Sequence, residues 1–262
     1  MNRKEGNRIW FKGNPWPNGH ALKESRFYGV LSEEGIHLHL EIKTEDYYAD
    51  QGFEAATEQA EEHDRKLEEE GVNDDWKMYG AWMNYHSCHI QPNKRVILGN
   101  KEQPFRVDQL ANWSFQLDDP PPIEETWKGL DFDNMYFHCY VLGHDAVAHH
   151  KIDISSAEKP FHYHIDWKGK VALAYFGDEE FRYTFTIHIR DIEFEGFDGQ
   201  HRLDLRFKDE AKQQSYWYDT RLDRSMEERE QELRNWMAQH AHIPDDQLIF
   251  SPLERSDWLR FI

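Results

Sequence analysis

Phe161-His162-Tyr163-His164-Ile165-Asp166-Trp167-Lys168 alternates without a break: Phe161, Tyr163, Ile165 and Trp167 take one side, and His162, His164, Asp166 and Lys168 the other. A period of two marks a β-strand with one buried and one wet face. The same pattern extends outward in both directions. Upstream, Met135, Phe137, Cys139 and Val141 alternate with Tyr136, His138, Tyr140 and Leu142; Gly143-His144-Asp145 turns the chain, and Ala146 to Ile154 returns. Downstream, Lys168-Gly169 reads as a tight turn into Val171 to Phe176, Gly177 to Glu180 leads into Phe181 to Phe194, and Asp198-Gly199 turns that strand into His201 to Phe207. Short turns between sequential strands force antiparallel neighbours, so Met135 to Phe207 is expected to form a meander of about six strands.

The N-terminal half repeats this pattern. Ile36, Leu38, Leu40 and Ile42 oppose His37, His39, Glu41 and Lys43, with Arg26 to Leu31 as the partner across a Ser32-Glu33-Glu34-Gly35 turn. Trp76 to Ile90 carries apolar residues on both faces and reads as a strand covered on both sides. Arg95 to Leu98 and Trp113 to Leu117 are weaker strands. Helices are few. Phe53 to Glu70 has a thin apolar stripe, i,i+4 pairs of Glu61 with Arg65 and Glu62 with Lys66, and a stop at Gly71, which makes it a surface helix. Ser225 with Glu228 forms a capping box for a later helix, and Ser251-Pro252-Leu253-Glu254 repeats that start signal for a short last one. The fold class is mainly β (α+β): an antiparallel meander forming a sandwich or barrel, with one acidic surface helix and a helical C-terminus.

Length and composition fit a chain that buries a substantial core: 262 residues, 39% hydrophobic and 15% aromatic. The Pro120-Pro121-Pro122 segment, 118–134, reads as a connector between an N-terminal β-rich part, 1–117, and a meander with C-terminal helices, 135–262; a single domain fits the pattern equally. Only Cys88 and Cys139 are present, too few for a disulfide framework. The polar N-terminus has no apolar core of a signal peptide, and a cytoplasmic chain is expected.

Two strands each place two imidazoles and a carboxylate on one face: His37, His39 and Glu41, and His162, His164 and Asp166. Spacings of i, i+2 and i+4 let such groups converge on a divalent metal, although any wet sheet face must carry polar residues. Cys88 lies between His86 and His89, but only His86 shares its strand face, and a buried thiol is the simpler reading. No phosphate loop, HExxH helix, CxxC pair or Gly-x-Ser-x-Gly elbow occurs. Trp16, held between Pro15 and Pro17, is expected to fold back onto the core.

Fifty acids against thirty-one Lys and Arg leave a net charge of -19, so no nucleic acid and no anionic membrane is expected as a partner. The charge is concentrated. From Glu41 to Asp75 there are fourteen acids and three bases, a local balance of -11. Glu61, Glu62, Glu69 and Glu70, bordered by Tyr47, Tyr48 and Trp76, form a candidate docking face for a basic protein, as an inhibitor or immunity-type binder would present. Two alternatives stand beside this: a metal-dependent enzyme on the His-rich sheet face, and a carrier of a small molecule or carbohydrate in an aromatic cavity.

Overall fold

A computed structural model describes residues 6–49, 53–83, 85–199, 203–209, 214–219, 223–253 and 256–262. In chain order the elements are β1 (Arg8–Phe11), β2 (His20–Leu31), β3 (Ile36–Thr44), α1 (Phe53–Glu69), α2 (Tyr79–Met83), β4 (His89–Pro92), β5 (Val96–Gly99) and α3 (Val107–Leu110). They continue with β6 (Ser114–Leu117), β7 (Phe137–Tyr140), β8 (His144–Ser156), β9 (His162–Ala172), β10 (Tyr183–Glu193), β11 (Phe197–Gly199) and β12 (Leu203–Asp209). Last come β13 (Gln214–Asp219), α4 (Met226–His240), β14 (Leu248–Pro252) and β15 (Asp257–Phe261). No helix is long and apolar enough to cross a membrane among the described residues.

The chain divides into two units interleaved in sequence: Met1–Arg26, Leu40–Arg95 and Leu110–Glu193 form one, and Phe27–His39, Val96–Gln109 and Phe194–Ile262 the other. Eight strands close into an antiparallel barrel, in which β2, β1, β10, β9, β8, β7, β4 and β3 pair in turn and β3 returns to β2; the Phe27–His39 stretch that carries the end of β2 and the start of β3 is counted with the second unit. Closure removes the free sheet edges that would otherwise template pairing with other chains. The connector segment 118–134 lies within the first unit.

The alternation read from the sequence sets the barrel wall. Ile165 pairs across from Ile189 and Trp167 from Ile187, and all four are fully buried, while Asp166 opposite His188 faces outward. Phe137 and Cys139 on β7 and Val147 and Ile152 on β8 fill the same interior. Phe11, Trp76 and Trp82 pack edge to face or tilted at 5.2–5.5 Å between ring centroids, the geometry that aromatic quadrupoles favour. Each indole also satisfies its polar end: Trp76 Nε1 donates to the Lys12 carbonyl at 3.0 Å and Trp82 Nε1 to the Trp76 carbonyl at 3.1 Å.

Several expectations are corrected. Among its described residues, Trp76 to Ile90 is a strand only at His89 and Ile90; Trp76 and Lys77 lie in a turn, Tyr79–Met83 form the one-turn helix α2, and 85–88 are irregular. Its apolar residues fall on both faces because the segment coils on itself, a case that periodicity alone does not separate from a buried strand. The Asp64 carboxylate on α1 fixes that coil by accepting from the N–H groups of Tyr79 (2.8 Å) and Gly80 (2.7 Å). Lys168-Gly169 is not a turn, since β9 runs straight through it to Ala172. Glycine is there for closeness: a Cβ at Gly169 would stand 2.5 Å from Cζ of Phe185. The meander proper is therefore β7-β8-β9-β10, and Asp198-Gly199 is strand, not turn.

In the second unit β11 runs parallel to the Gly29–Leu31 end of β2, and antiparallel to β15. The short helix expected at Ser251 is instead part of the β14–β15 hairpin, with Leu248 opposite Phe261 and Pro252 opposite Asp257; Glu254 lies outside the described residues. Ser and Pro serve turns as well as helix starts, and Pro252 sits at a strand end, where it needs no ladder donor. The capping box of α4 forms as expected, with Glu228 N–H donating to Ser225 Oγ and Ser225 N–H to the Glu228 carboxylate.

Candidate functional site

The two His-x-His strands resolve into separate pairs. On β9, Asp166 accepts hydrogen bonds from His188 and from Arg190 Nη2, the latter at 2.7 Å. Burial pushes the Asp166 carboxyl up, but these two donors outweigh it and hold it below the usual range. A bulge between Ile189 and Ile192 on β10 turns Asp191 toward the other two imidazoles. Asp191 Oδ1 lies 3.1 Å from His162 Nδ1, and its N–H donates to His164 Nδ1 at 3.3 Å. On β3, Glu41 pairs with His89 at 2.7 Å, whereas His37 and His39 belong to the second unit, where His39 stacks on Tyr28 at 4.1 Å. Among the described residues no three His, Cys, Asp or Glu side chains gather in a metal-holding group.

The acidic docking face is half as drawn. Glu61, Glu62, Glu69 and Glu70 stand exposed on α1 or just beyond its end, with Lys66 on Glu62 and Arg65 on Glu69. Their expected aromatic border is corrected: Tyr47, Tyr48 and Trp76 are 3%, 4% and 1% exposed and pack inward. Tyr47 donates its hydroxyl to the Val141 carbonyl at 2.9 Å, and burial pushes its pKa up. Trp16 also folds back, edge to face with Tyr48 and Tyr79. Cys88 and Cys139 are free and buried, burial drives the Cys139 thiol up, and His86 pairs with Asp46 instead of Cys88.

A cleft of about 400 Å³ opens on the outer wall of the barrel, lined by Gln91, Phe132, His138, Cys139, Tyr140, His144, Asp145, Ala174, Tyr175 and Glu179. All of these belong to the first unit. β4 and β7 supply Gln91, His138 and Tyr140, whose side chains alternate away from the buried Phe137. The turn between β7 and β8 is tied by Asp145, whose Oδ2 accepts from the Leu142 N–H at 2.7 Å. A one-turn 3-10 helix after β9, Ala174–Phe176, sets Tyr175 over that turn. Gly143 makes the close fit, because a Cβ there would stand 2.4 Å from Cγ of Tyr175.

The cleft couples exposed rings to a buried charge. Phe132, Tyr140 and Tyr175 are 37%, 37% and 58% exposed, and Tyr140 lies over His144 at 4.4 Å between ring centroids. Asp145 is 3% exposed. Burial raises its carboxyl, opposed by the Leu142 amide, by looser contacts from the amides of Tyr175 and Val141, and by His144. Its Oδ1 has no donor at full hydrogen-bond geometry. At the rim, Trp127 is 71% exposed; its ring and Oε1 of Glu179 both stand within 4 Å of the place a Cβ on Gly129 would take. The residues 123–130 carrying Trp127 are held by the Ile123–Leu130 bridge, and Leu130 packs on the small side chains Ala146, Ala148 and Ala172 of β8 and β9.

The sequence pattern puts His138 beside Tyr140 on one face of a strand and reads Gly143-His144-Asp145 as a turn, but it does not join them to Phe132, Tyr175 and Glu179. Those residues come from four separated segments, and only the barrel brings them together. Comparison with protein-family models, with curated proteins and with solved structures gives no match to this chain.

Proposed function

We propose that this is a small-molecule-binding protein whose site is the cleft beside the β7–β8 turn. The observation that carries the reading is the combination found there: three partly exposed aromatic rings lining one cleft with a buried carboxylate. An apolar wall with a few convergent polar groups is the common form of a ligand site, and a titrating group perturbed by burial inside a cleft adds to it. Large side chains, Trp167 and Phe185 among them, occupy the barrel interior, which favours a ligand on the wall. The test is a titration of ¹⁵N-labelled protein with a fragment library. Shifts should concentrate at the amides of Leu142–Asp145 and Ala174–Glu179 and weaken at least tenfold in Tyr175→Ala; shifts spread evenly over the surface would count against the site.

A second reading rests on α1. Its exposed Glu61, Glu62, Glu69 and Glu70 present a concentrated negative surface, which supports electrostatic steering of a basic protein. Capture of such a partner should fall when salt rises from 50 to about 300 mM, as the Debye length shrinks. Charge reversal at the four glutamates should abolish it, and capture that ignores both changes removes this reading.

A further inference from the structure

Resting on the cleft as a ligand site, we propose that its ligand is an organic cation: a protonated or quaternary amine carried on a small apolar frame. Three features of the lining point this way. First, its charged side chains are Asp145 and Glu179, with His138 and His144 as the imidazoles; among the described residues no Lys or Arg lines it. An anionic ligand would meet two carboxylates and no fixed positive charge, which disfavours phosphorylated or carboxylated molecules. Second, the rings of Phe132, Tyr140 and Tyr175 offer π-faces, and such faces attract an ammonium group most strongly when water is excluded. Third, Asp145 lines the cleft yet is 3% exposed, with its Oδ2 held by the Leu142 amide and only looser contacts from the Tyr175 and Val141 amides.

A buried carboxylate with no Lys or Arg among the described lining residues is costly, and an ammonium in the cleft offers it a counter-charge. The same Asp145 fixes the β7–β8 turn through Oδ2, so the turn and the charge of the cleft depend on one carboxylate. At the rim, Glu179 and the indole of Trp127 flank Gly129, which sets a second carboxylate and a fourth ring near the mouth. A sugar would also accept ring stacking, but it calls for donors as much as acceptors. Here Gln91, His138, His144 and the hydroxyls of Tyr140 and Tyr175 can donate, but two carboxylates in one small cleft favour a ligand that brings positive charge.

The experiment compares three probes by ¹⁵N shift titration at pH 7.5 and low salt: choline, its neutral carbon isostere 3,3-dimethylbutan-1-ol, and glucose. Choline should saturate, with shifts at Leu142–Asp145 and Ala174–Glu179, and bind at least tenfold more tightly than the alcohol. Glu179→Gln, an exposed change, should weaken choline several-fold without altering the alcohol. Asp145→Asn, which keeps an oxygen for the Leu142 amide, should weaken choline at least tenfold. Equal affinity for choline and the alcohol, or glucose binding at these amides without choline, overturns the cation proposal while leaving the cleft a ligand site. No shift at these amides from any probe or from the fragment library overturns both.

Discussion

His150 is the residue whose surroundings speak most directly about stability. It is completely buried inside the barrel wall, and Trp167 Nε1–H donates to its Nδ1 at 3.1 Å, so the ring is neutral with its proton on Nε2. Burial pushes its pKa down to about 3. A folded-state value below the unfolded one means that the unfolded chain binds the proton first. The neutral imidazole therefore costs nothing above the unfolded pKa of about 6.5, and native stability falls as pH drops from there toward 3, by roughly 4 kcal/mol. Asp118, whose Oδ2 lies 3.7 Å from His150 Nε2, has a carboxyl raised by burial and works in the opposite sense, offsetting part of that loss. Urea unfolding at pH 7 and pH 4 should show the decline, and His150→Gln should flatten it; an unchanged slope in the variant would locate the acid sensitivity elsewhere.

At the scale of elements, the strands were legible and their ends were not. The alternation of Phe161 to Lys168 and of Ile36 to Lys43 survives in β9 and β3, where one face is buried and the other partly exposed, except at His37, which is 6% exposed. Gly169 misleads because the same residue type serves a tight turn and a close crossing. The barrel uses it for the crossing under Phe185, with His150 Nδ1 also 3.1 Å from where a Cβ would be. Gly169→Ala should accordingly cost about 1–3 kcal/mol in urea unfolding, the range for overpacking a core. A substitution without effect would restore the turn reading. Trp76 to Met83 was illegible for a different reason, since its helix is set by a carboxylate from α1 and not by any local period. The histidine faces were legible as polar faces, yet a bulge at Asp191, invisible in the pattern, decides whom they meet.

Across the whole molecule, the net charge of -19 excludes less than it first implies. A local balance of -11 lies between Glu41 and Asp75, the stretch that contains α1 and none of the cleft residues, so the acidic helix and the cleft are hypotheses with separate tests. The cleft could not have been named from sequence because Gln91, Phe132, Tyr140, Asp145, Tyr175 and Glu179 share no spacing; closing the barrel is what gathers them. Its chemistry follows from where β7, the turn tied by Asp145 and the 3-10 turn after β9 meet. The most direct measurement is a crystal structure of the protein soaked with small amine and alcohol fragments. The account predicts ordered density between Tyr140, Tyr175 and Glu179, with an amine nitrogen against the rings on the side of the carboxylates. Fragments ordered only at other surfaces, with this cleft holding solvent alone, would contradict it.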